Sequence, residues 1–268
     1  MSLMTSVRGG VLALLLAVSP AAAETLQAGG TGALTGLLVQ LAPAFKADSG
    51  ITLQVVPGLG TSGATSALAD GKLGLVFAGR ALRDSEKSKG LRTMATLRTP
   101  FGLVTSRTGA EDFKSSDIAA LYGSDNPTWP DGSPILITLR PVDESDNIVL
   151  GELFPGMTEA LGRLRTRRDL SVAATDQDNA DMAEKVKGSL NSATLTQIVT
   201  EKRKLRFVSI DGVAATLENF ENGSYPYGKS VYFVVPSTVS PEAEAFLAFL
   251  AKPATRSLLR DAGLIAGR

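Results

Sequence analysis

Hydrophobic positions in the first part of the chain alternate between helical and strand spacing. One set, spaced as on a single face of a helix, predicts an amphipathic helix that ends near Ser49-Gly50: Leu34, Leu37, Leu38, Leu41 and Phe45. Runs with strand spacing cover residues 25–28, 51–56 and 73–78, and a second helix is predicted over residues 62–69. This βαβαβ order is typical of a parallel sheet covered by helices.

The rest of the chain continues the mixture of strands and helices. Strands are predicted at residues 101–105, 134–139, 205–210 and 231–235. Helices are predicted at residues 116–122, 148–154, 158–168, 179–187 and 255–262. A further helix should begin at Ser240-Pro241, because serine caps helices well and proline fits the first helical position. The sequence therefore predicts an α/β protein.

The first 23 residues have the order of a secretory signal peptide. Arg8 precedes an apolar run from Val11 to Val18, and Ala21-Ala22-Ala23 offers small residues for cleavage. The apolar run is shorter than the ~20 residues that a membrane span needs. We expect residues 1–23 to be removed on export. The chain contains no cysteine that a lipid could modify, so the mature protein should be free in a bacterial periplasm.

The composition excludes most enzyme classes. The 268 residues include no histidine and no cysteine, which removes Ser-His-Asp triads, cysteine nucleophiles and ordinary zinc sites. We therefore expect a binding protein with no catalytic residues, metal or cofactor. The 27 basic residues balance the 27 acidic ones, whereas a nucleic-acid-binding domain would usually be basic. A monomer is the simplest expectation for a diffusible carrier.

Two glycine-rich turns follow the first two predicted strands, and each opens a helix. The first is Gly29-Gly30-Thr31-Gly32, and the second is Gly58-Leu59-Gly60-Thr61-Ser62-Gly63. Helix starts attract anions through their free N–H groups, and the carboxyl ends of parallel strands lie at one sheet edge. An anion site is therefore predicted from Thr31, Gly32, Thr61, Ser62 and Gly63. The alternative is that these residues are only helix caps and turn glycines.

The second turn also allows a dinucleotide-binding interpretation. Gly58, Gly60 and Gly63 spell G-x-G-x-x-G, and Arg80 follows the next strand, where it could contact the 2′-phosphate of NADP. Against this alternative, the motif follows the second strand rather than the first. An exported protein also has little access to NADP. An NADP-dependent enzyme therefore remains the more distant hypothesis.

Arg140 is a third candidate for binding an anion. It ends a predicted strand, and an arginine fork can grip an oxyanion at two points. The following Ser145 or Asp146 could cap the next helix and leave its N–H groups facing a ligand. The alternative is a surface arginine beside its own acidic loop.

Several segments in this order resemble the phosphate-binding proteins of bacterial ABC importers. They are the helix from Thr31 to Phe45, the turn from Gly58 to Gly63, Phe77-Ala78-Gly79-Arg80, Leu121-Tyr122-Gly123 to Trp129-Pro130-Asp131-Gly132, Ile210-Asp211-Gly212-Val213 and Gly223-Ser224-Tyr225-Pro226. Leu34-Thr35-Gly36-Leu37-Leu38 is also similar to tungstate-binding proteins of the same superfamily.

The resemblance implies a type II periplasmic binding fold with two α/β lobes, each a mostly parallel sheet flanked by helices, and a cleft between them. Lobe one would contain residues 24–98 plus 208–268, and lobe two residues 99–207. The implied function is capture of a tetrahedral oxyanion for a membrane permease. Phosphate is the favoured ligand, and molybdate, tungstate or a sulfate-like anion remain alternatives.

The same resemblance assigns site residues and shows two departures from the family pattern. Thr31, together with either Thr61 or Ser62, matches the hydroxyl donors at helix starts. Arg140 matches the anion-gripping arginine, and Ser145-Asp146-Asn147 replaces a Ser-Gly-Thr helix start. Arg80 lies about where the phosphate binders carry an aspartate that accepts the proton of hydrogen phosphate, and arginine cannot accept a hydrogen bond. Either Asp143 or Asp146 supplies that acceptor, or the ligand is not phosphate.

Overall fold

The computed structural model describes residues 24–109 and 111–267. The predicted signal peptide, residues 1–23, lies outside them. The strands are β1 (Thr25–Gly30), β2 (Thr52–Val56), β3 (Leu75–Ala78), β4 (Arg92–Thr105), β5 (Asp112–Phe113), β6 (Leu136–Ile137), β7 (Ser189–Thr194), β8 (Arg206–Phe207), β9 (Ser209–Ile210), β10 (Gly228–Val235) and β11 (Ile265–Ala266).

Helices cover both lobes. They are α1 (Thr35–Ser49), α2 (Gly60–Ala69), α3 (Asp84–Lys87), α4 (Ser115–Tyr122), α5 (Ser145–Leu153), α6 (Met157–Leu164), α7 (Asp176–Lys185), α8 (Leu195–Thr200), α9 (Leu217–Glu221), α10 (Pro241–Ala251) and α11 (Pro253–Asp261). A 3-10 turn, Gly32–Leu34, leads into α1. Ser240 caps α10 by accepting a hydrogen bond from the Ala243 N–H, which confirms the predicted start. Within the described residues no helix has the length and apolar character that a membrane crossing requires.

Lobe one is built on the parallel strands β1, β2 and β3. β1 lies between the other two, so all three strands end at the same edge of the sheet. The helical stripe predicted from the sequence packs α1 onto this sheet and onto α10. Phe45, for example, meets Phe246 with ring centroids 5.1 Å apart. The predicted βαβαβ order is confirmed, and it brings both glycine-rich turns to one edge.

Lobe two is joined to lobe one through the long strand β4. The first part of β4 pairs with β10, and its last residues pair with β7, both antiparallel. A second core surrounds Trp129, Phe154 and Leu190. The predicted α/β fold with two lobes is confirmed. The antiparallel pairs at β10 and β4 make the continuous sheet mixed, with parallel strands toward its two edges.

Which of the two cores a residue packs in indicates where the chain crosses from one lobe to the other. Val208, Ile210, Ala215 and Tyr225 pack in the second core, whereas Val231 belongs to the first. The boundary at residues 207/208 stays a prediction, and these contacts favour a second crossing at the start of β10.

Candidate functional site

The carboxylate of Asp176 binds the loop that follows β1. Asp176 is the first residue of α7, in lobe two. One of its oxygens, Oδ2, accepts hydrogen bonds from Thr31 Oγ1 at 3.1 Å and from the Ala33 N–H at 2.8 Å. An oxyanion, in this case a side chain of the protein itself, therefore lies where the sequence predicts an anion beside Thr31 and Gly32.

Arg140 holds the other oxygen of the same carboxylate. Its Nη2 donates to Asp176 Oδ1 at 2.7 Å, and its Nη1 donates to the Thr175 carbonyl at 2.6 Å. The guanidinium is buried, and its Nε has no hydrogen-bond partner. Arg140 and Thr31 thus bind the same carboxylate from opposite sides of the cleft, and their role in ligand binding stays a prediction.

A second carboxylate, that of Glu144, stands beside the first. Its Oε2 lies 3.3 Å from Arg140 Nη2. Burial raises the pKa of Glu144, and repulsion from Asp176 raises it further. Burial would lower the pKa of Arg140, but attraction to Asp176, Asp146 and Glu144 outweighs burial and raises it. Arg140 therefore stays charged.

Lys229 supplies a second cation to the cleft. It is fully buried on β10, and its Nζ donates to Asp146 Oδ1 at 2.5 Å and to Ser145 Oγ at 2.9 Å. Burial opposes the charged state of each partner, yet their mutual attraction lowers the pKa of Asp146 and raises that of Lys229. Both groups remain ionised as a pair, so Asp146 is held by the protein's own cation.

The second glycine-rich turn faces the same region. Gly60 begins α2, and a β-carbon at this position would lie 3.1 Å from Glu144 Oε1. Thr61 Oγ1 accepts a hydrogen bond from the Gly79 N–H at 2.9 Å. A β-carbon on Gly79 would lie 2.6 Å from Ser145 Oγ. The start of α2 therefore adjoins the carboxylate of Glu144 and the hydroxyl of Ser145.

Ser62 and Arg80 form a separate group within lobe one. Arg80 donates through both terminal nitrogens to the carboxylate of Glu86, at 2.8 Å each, and through Nη2 to Ser62 Oγ at 3.2 Å. Burial by itself would raise the pKa of Glu86, but hydrogen bonds from Arg80, Arg83 and Thr65 lower it to about 2. A role for Arg80 and Ser62 in ligand binding stays a prediction.

Gly63 has room for a side chain. An added β-carbon would meet only the Leu59 β-carbon, at an ordinary 3.7 Å. In a dinucleotide fingerprint the third glycine permits close packing of helix on strand, and no such close packing exists at Gly63. With Arg80 paired to Glu86 as well, the geometry gives the NADP hypothesis no support.

The start of α5 differs from the sequence prediction. Glu144, rather than Ser145 or Asp146, is the N-cap, and its Oε2 accepts a hydrogen bond from the Ser145 N–H at 3.2 Å. Ser145 and Asp146 are the first residues of the helix, and they point to Lys229. The Asn147 side chain donates to the Pro141 carbonyl at 2.6 Å. Asp143, one of the two predicted acceptors, is exposed.

A small cavity lies beside Asp176. Its volume is about 70 Å³, and it is lined by glycines of both turns together with polar groups of lobe two, among them Gly32, Gly60, Glu144, Thr175 and Gln177. At ~30 Å³ per water in the liquid, the space corresponds to roughly two waters. Gln177 Nε2 closes one side by donating to the Gly32 carbonyl at 3.0 Å.

Three charged residues of this cleft were not predicted from the sequence: Glu144, Asp176 and Lys229. Lys229 alternates with the buried Val231 and Phe233 along β10, so it lies on the inward face of its strand. Because side chains alternate between the two faces of a strand, this spacing could have predicted that Lys229 is buried. For Asp176 the sequence offers only a helix start, the capping pair of Thr175 and Asp178, which does not indicate contact with the other lobe.

Comparison with known proteins identifies the fold. The sequence model of a family described as "PBP superfamily domain" matches residues 17–254. A putative phosphate ABC transporter substrate-binding protein with bound phosphate, from Clostridium perfringens, superposes with a TM-score of 0.78 at 16% identity, covering 91% of this chain and 100% of that one. No curated protein gives a significant match.

Two further solved structures are similar over most of their length. An ABC-type phosphate transport receptor from Vibrio cholerae has a TM-score of 0.62 at 13% identity, covering 90% of this chain and 100% of the receptor. A periplasmic molybdate-binding protein from Azotobacter vinelandii has a TM-score of 0.55 at 13% identity, covering 91% and 100% of the two chains. Identities this low establish a shared fold.

Proposed function

The chain belongs to the PBP superfamily, and we propose that it is a periplasmic solute-binding protein of an ABC importer that captures a tetrahedral oxyanion. One observation carries the proposal: Thr31 Oγ1, the Ala33 N–H and the Arg140 guanidinium converge on the carboxylate of Asp176. A carboxylate and a phosphate are bound by the same kinds of donor. Donors from both lobes therefore form a receptor for an oxyanion in the cleft.

Phosphate is the favoured ligand, ahead of molybdate, tungstate and sulfate. Within the described part of the chain, Arg140 and Lys229 share the cleft with the carboxylates of Glu144, Asp146 and Asp176. Carboxylates repel a fully deprotonated dianion but accept a hydrogen bond from an anion that carries its own proton. Hydrogen phosphate carries such a proton, and sulfate at neutral pH does not.

The proposed mechanism is capture without chemical change. The anion would bind when donors of both lobes reach it together, so it would favour the closed arrangement over the open one. The closed protein would then be recognised by a membrane permease. We propose that the protein acts as a monomer, without a cofactor or nucleic acid, after removal of residues 1–23 in the periplasm.

The test is calorimetry of residues 24–268 with phosphate, sulfate, molybdate and tungstate. We expect phosphate to bind most tightly and to raise the melting temperature as its concentration rises. Arg140→Lys keeps the charge but loses the planar fork. Losing one charge-assisted hydrogen bond of roughly 1.5–3 kcal/mol should weaken binding by about one to two decades.

Arg107→Lys is the matched control. Arg107 is also an arginine of lobe two with little exposure, and it pairs with Glu111 and Asp131 away from the cleft. This variant should bind phosphate as the unaltered chain does. If none of the four anions gives heat or thermal stabilisation at millimolar concentration, the protein is not an anion-capture protein.

A further inference from the structure

The carboxylate of Asp176 accepts its hydrogen bonds from residues outside α7, namely Thr31, Ala33 and Arg140. The cap of α7 is supplied by Thr175 and Asp178, not by Asp176. The main chain of Asp176 is held independently, because Gln197 Nε2 donates to its carbonyl at 3.0 Å. The carboxylate can therefore leave Thr31 and Arg140 while the helix start stays in place.

The loop after β1 leaves space for this carboxylate. A β-carbon on Gly32 would lie 2.6 Å from the Asp176 β-carbon and 2.8 Å from its Oδ2. The absence of a side chain at position 32 thus lets Asp176 reach the Ala33 N–H. The 70 Å³ cavity adjoins the same carboxylate, so there is room for the side chain to move toward Glu144 or Gln177.

Three donors, Thr31 Oγ1, the Ala33 N–H and Arg140 Nη2, are already engaged by the carboxylate of Asp176. One carboxylate oxygen takes Thr31 and Ala33, and the other takes Arg140. A free oxyanion in contact with the same three donors would overlap with the carboxylate. Beside it, the anion would meet the negative charges of both Asp176 and Glu144 without gaining those donors.

We propose that Asp176 is an internal competitor, whose carboxylate occupies the position of the bound oxyanion and must leave before the anion binds. This inference rests on the proposed function and adds a specificity-determining residue to it. Asp176 sets the affinity, because every anion that enters must replace a negative charge held by two hydrogen bonds from lobe one and one from Arg140.

Asp176→Asn tests the competition, with anion affinity measured by calorimetry for phosphate and sulfate. The variant keeps the size of the side chain and removes its charge, so we expect phosphate affinity to increase by roughly tenfold or more. Asp178→Asn is the matched control. It removes the same charge two residues along α7, where the side chain is exposed and caps the helix. Its affinity should equal that of the unaltered chain.

The outcomes separate this inference from the proposed function. If the unaltered chain binds phosphate and Asp176→Asn binds no more tightly, Asp176 is not a competitor and the function stands. If the unaltered chain binds neither phosphate nor sulfate and Asp176→Asn binds one of them, the competition is supported and the capture function is contradicted. If neither protein binds an anion, both proposals are contradicted.

A measurement on the unaltered chain covers the case in which the asparagine variant does not fold. The side-chain carboxyl carbon of Asp176, assigned by NMR, should change its chemical shift on saturation with phosphate. The corresponding carbon of Asp178 should not. A bound anion that leaves the Asp176 resonance in place would overturn the proposal.

Discussion

Lys229 and Asp146 form an ion pair from which solvent is almost completely excluded. Lys229 lies on β10, which continues into the core of lobe one, and Asp146 lies in the first turn of α5, in lobe two. The second oxygen of Asp146 accepts a hydrogen bond from Ser192 Oγ at 2.8 Å. This buried pair therefore links the two lobes.

Lys229→Met should destabilise the protein severely. Removing one partner of a buried pair leaves the other charge unpaired, at a cost of about 3–5 kcal/mol. The free energy of unfolding, measured with urea, checks this value. The control is Lys252→Met, because Lys252 pairs with Asp48 on the surface and a surface pair contributes at most about 1 kcal/mol. Equal losses of unfolding free energy in the two variants would mean that the buried pair contributes no more to stability than the surface pair.

Gly32→Ala should weaken the contact between the lobes. The added methyl group would lie 2.6 Å from both the Asp176 β-carbon and Gln177 Oε1, so α7 has to move away. We expect a loss of roughly 1–3 kcal/mol, as for other overpacked sites. Small-angle scattering should show a larger radius of gyration.

Gly63→Ala is the control for this change. The same methyl group on α2 meets only ordinary contact, and alanine is the better helix former by about 0.5–1 kcal/mol. This variant should be at least as stable as the unaltered chain. If Gly32→Ala is equally well tolerated, the close approach of α7 to the loop after β1 does not hold the lobes together.

The sequence predicted those elements whose stability comes from one apolar face. α1 follows its leucine stripe, and α10 follows its serine cap and proline. β7 and α8 were not predicted, because β7 reads Ser189-Leu190-Asn191-Ser192-Ala193-Thr194 and is buried throughout. Its serine side chains make tertiary hydrogen bonds: Ser189 Oγ donates to the Ala183 carbonyl, and Ser192 Oγ donates to Asp146 Oδ2. Such bonds leave no periodic signal in the sequence.

The residues of the candidate site can be divided in the same way, into those with a local sequence signal and those without one. The sequence indicated Thr31 and Arg140 as candidates, because strand ends, glycine turns and a lone arginine are local features; their role in ligand binding stays a prediction. It did not identify Asp176 as their partner, since the two contacts span 145 and 36 positions along the chain. Which carboxylate meets which donor is decided by how the lobes pack.

Glu86→Gln should lower the free energy of unfolding at neutral pH. It should also make that free energy depend less on pH in the acid range. The pKa of Glu86 is about 2 in the folded protein, against 4.5 for the free side chain. A carboxyl with a lowered pKa contributes stability above its unfolded value and loses it as the pH falls toward the folded value. The difference between the unaltered chain and the variant should therefore shrink from pH 5 toward pH 2, by urea unfolding at each pH. A constant difference would contradict the ion pair with Arg80.

Glu144→Gln should have the opposite effect. The pKa of Glu144 is raised, by burial first and by Asp176 next. A group of this kind contributes stability below its unfolded pKa and loses it as the pH rises through the folded pKa. The charged form is therefore the unfavourable one at neutral pH. Glutamine removes that charge and keeps an oxygen that can accept the Ser145 N–H.

We expect Glu144→Gln to be more stable than the unaltered chain at pH 7, with the gain vanishing as the pH falls below about 4.5. Urea unfolding across this range measures the gain. Glu152→Gln, an exposed change on the same helix, removes an equal charge and should give no comparable gain. A variant that is less stable at pH 7 would mean that the contact between Glu144 and Arg140 outweighs both burial and repulsion from Asp176.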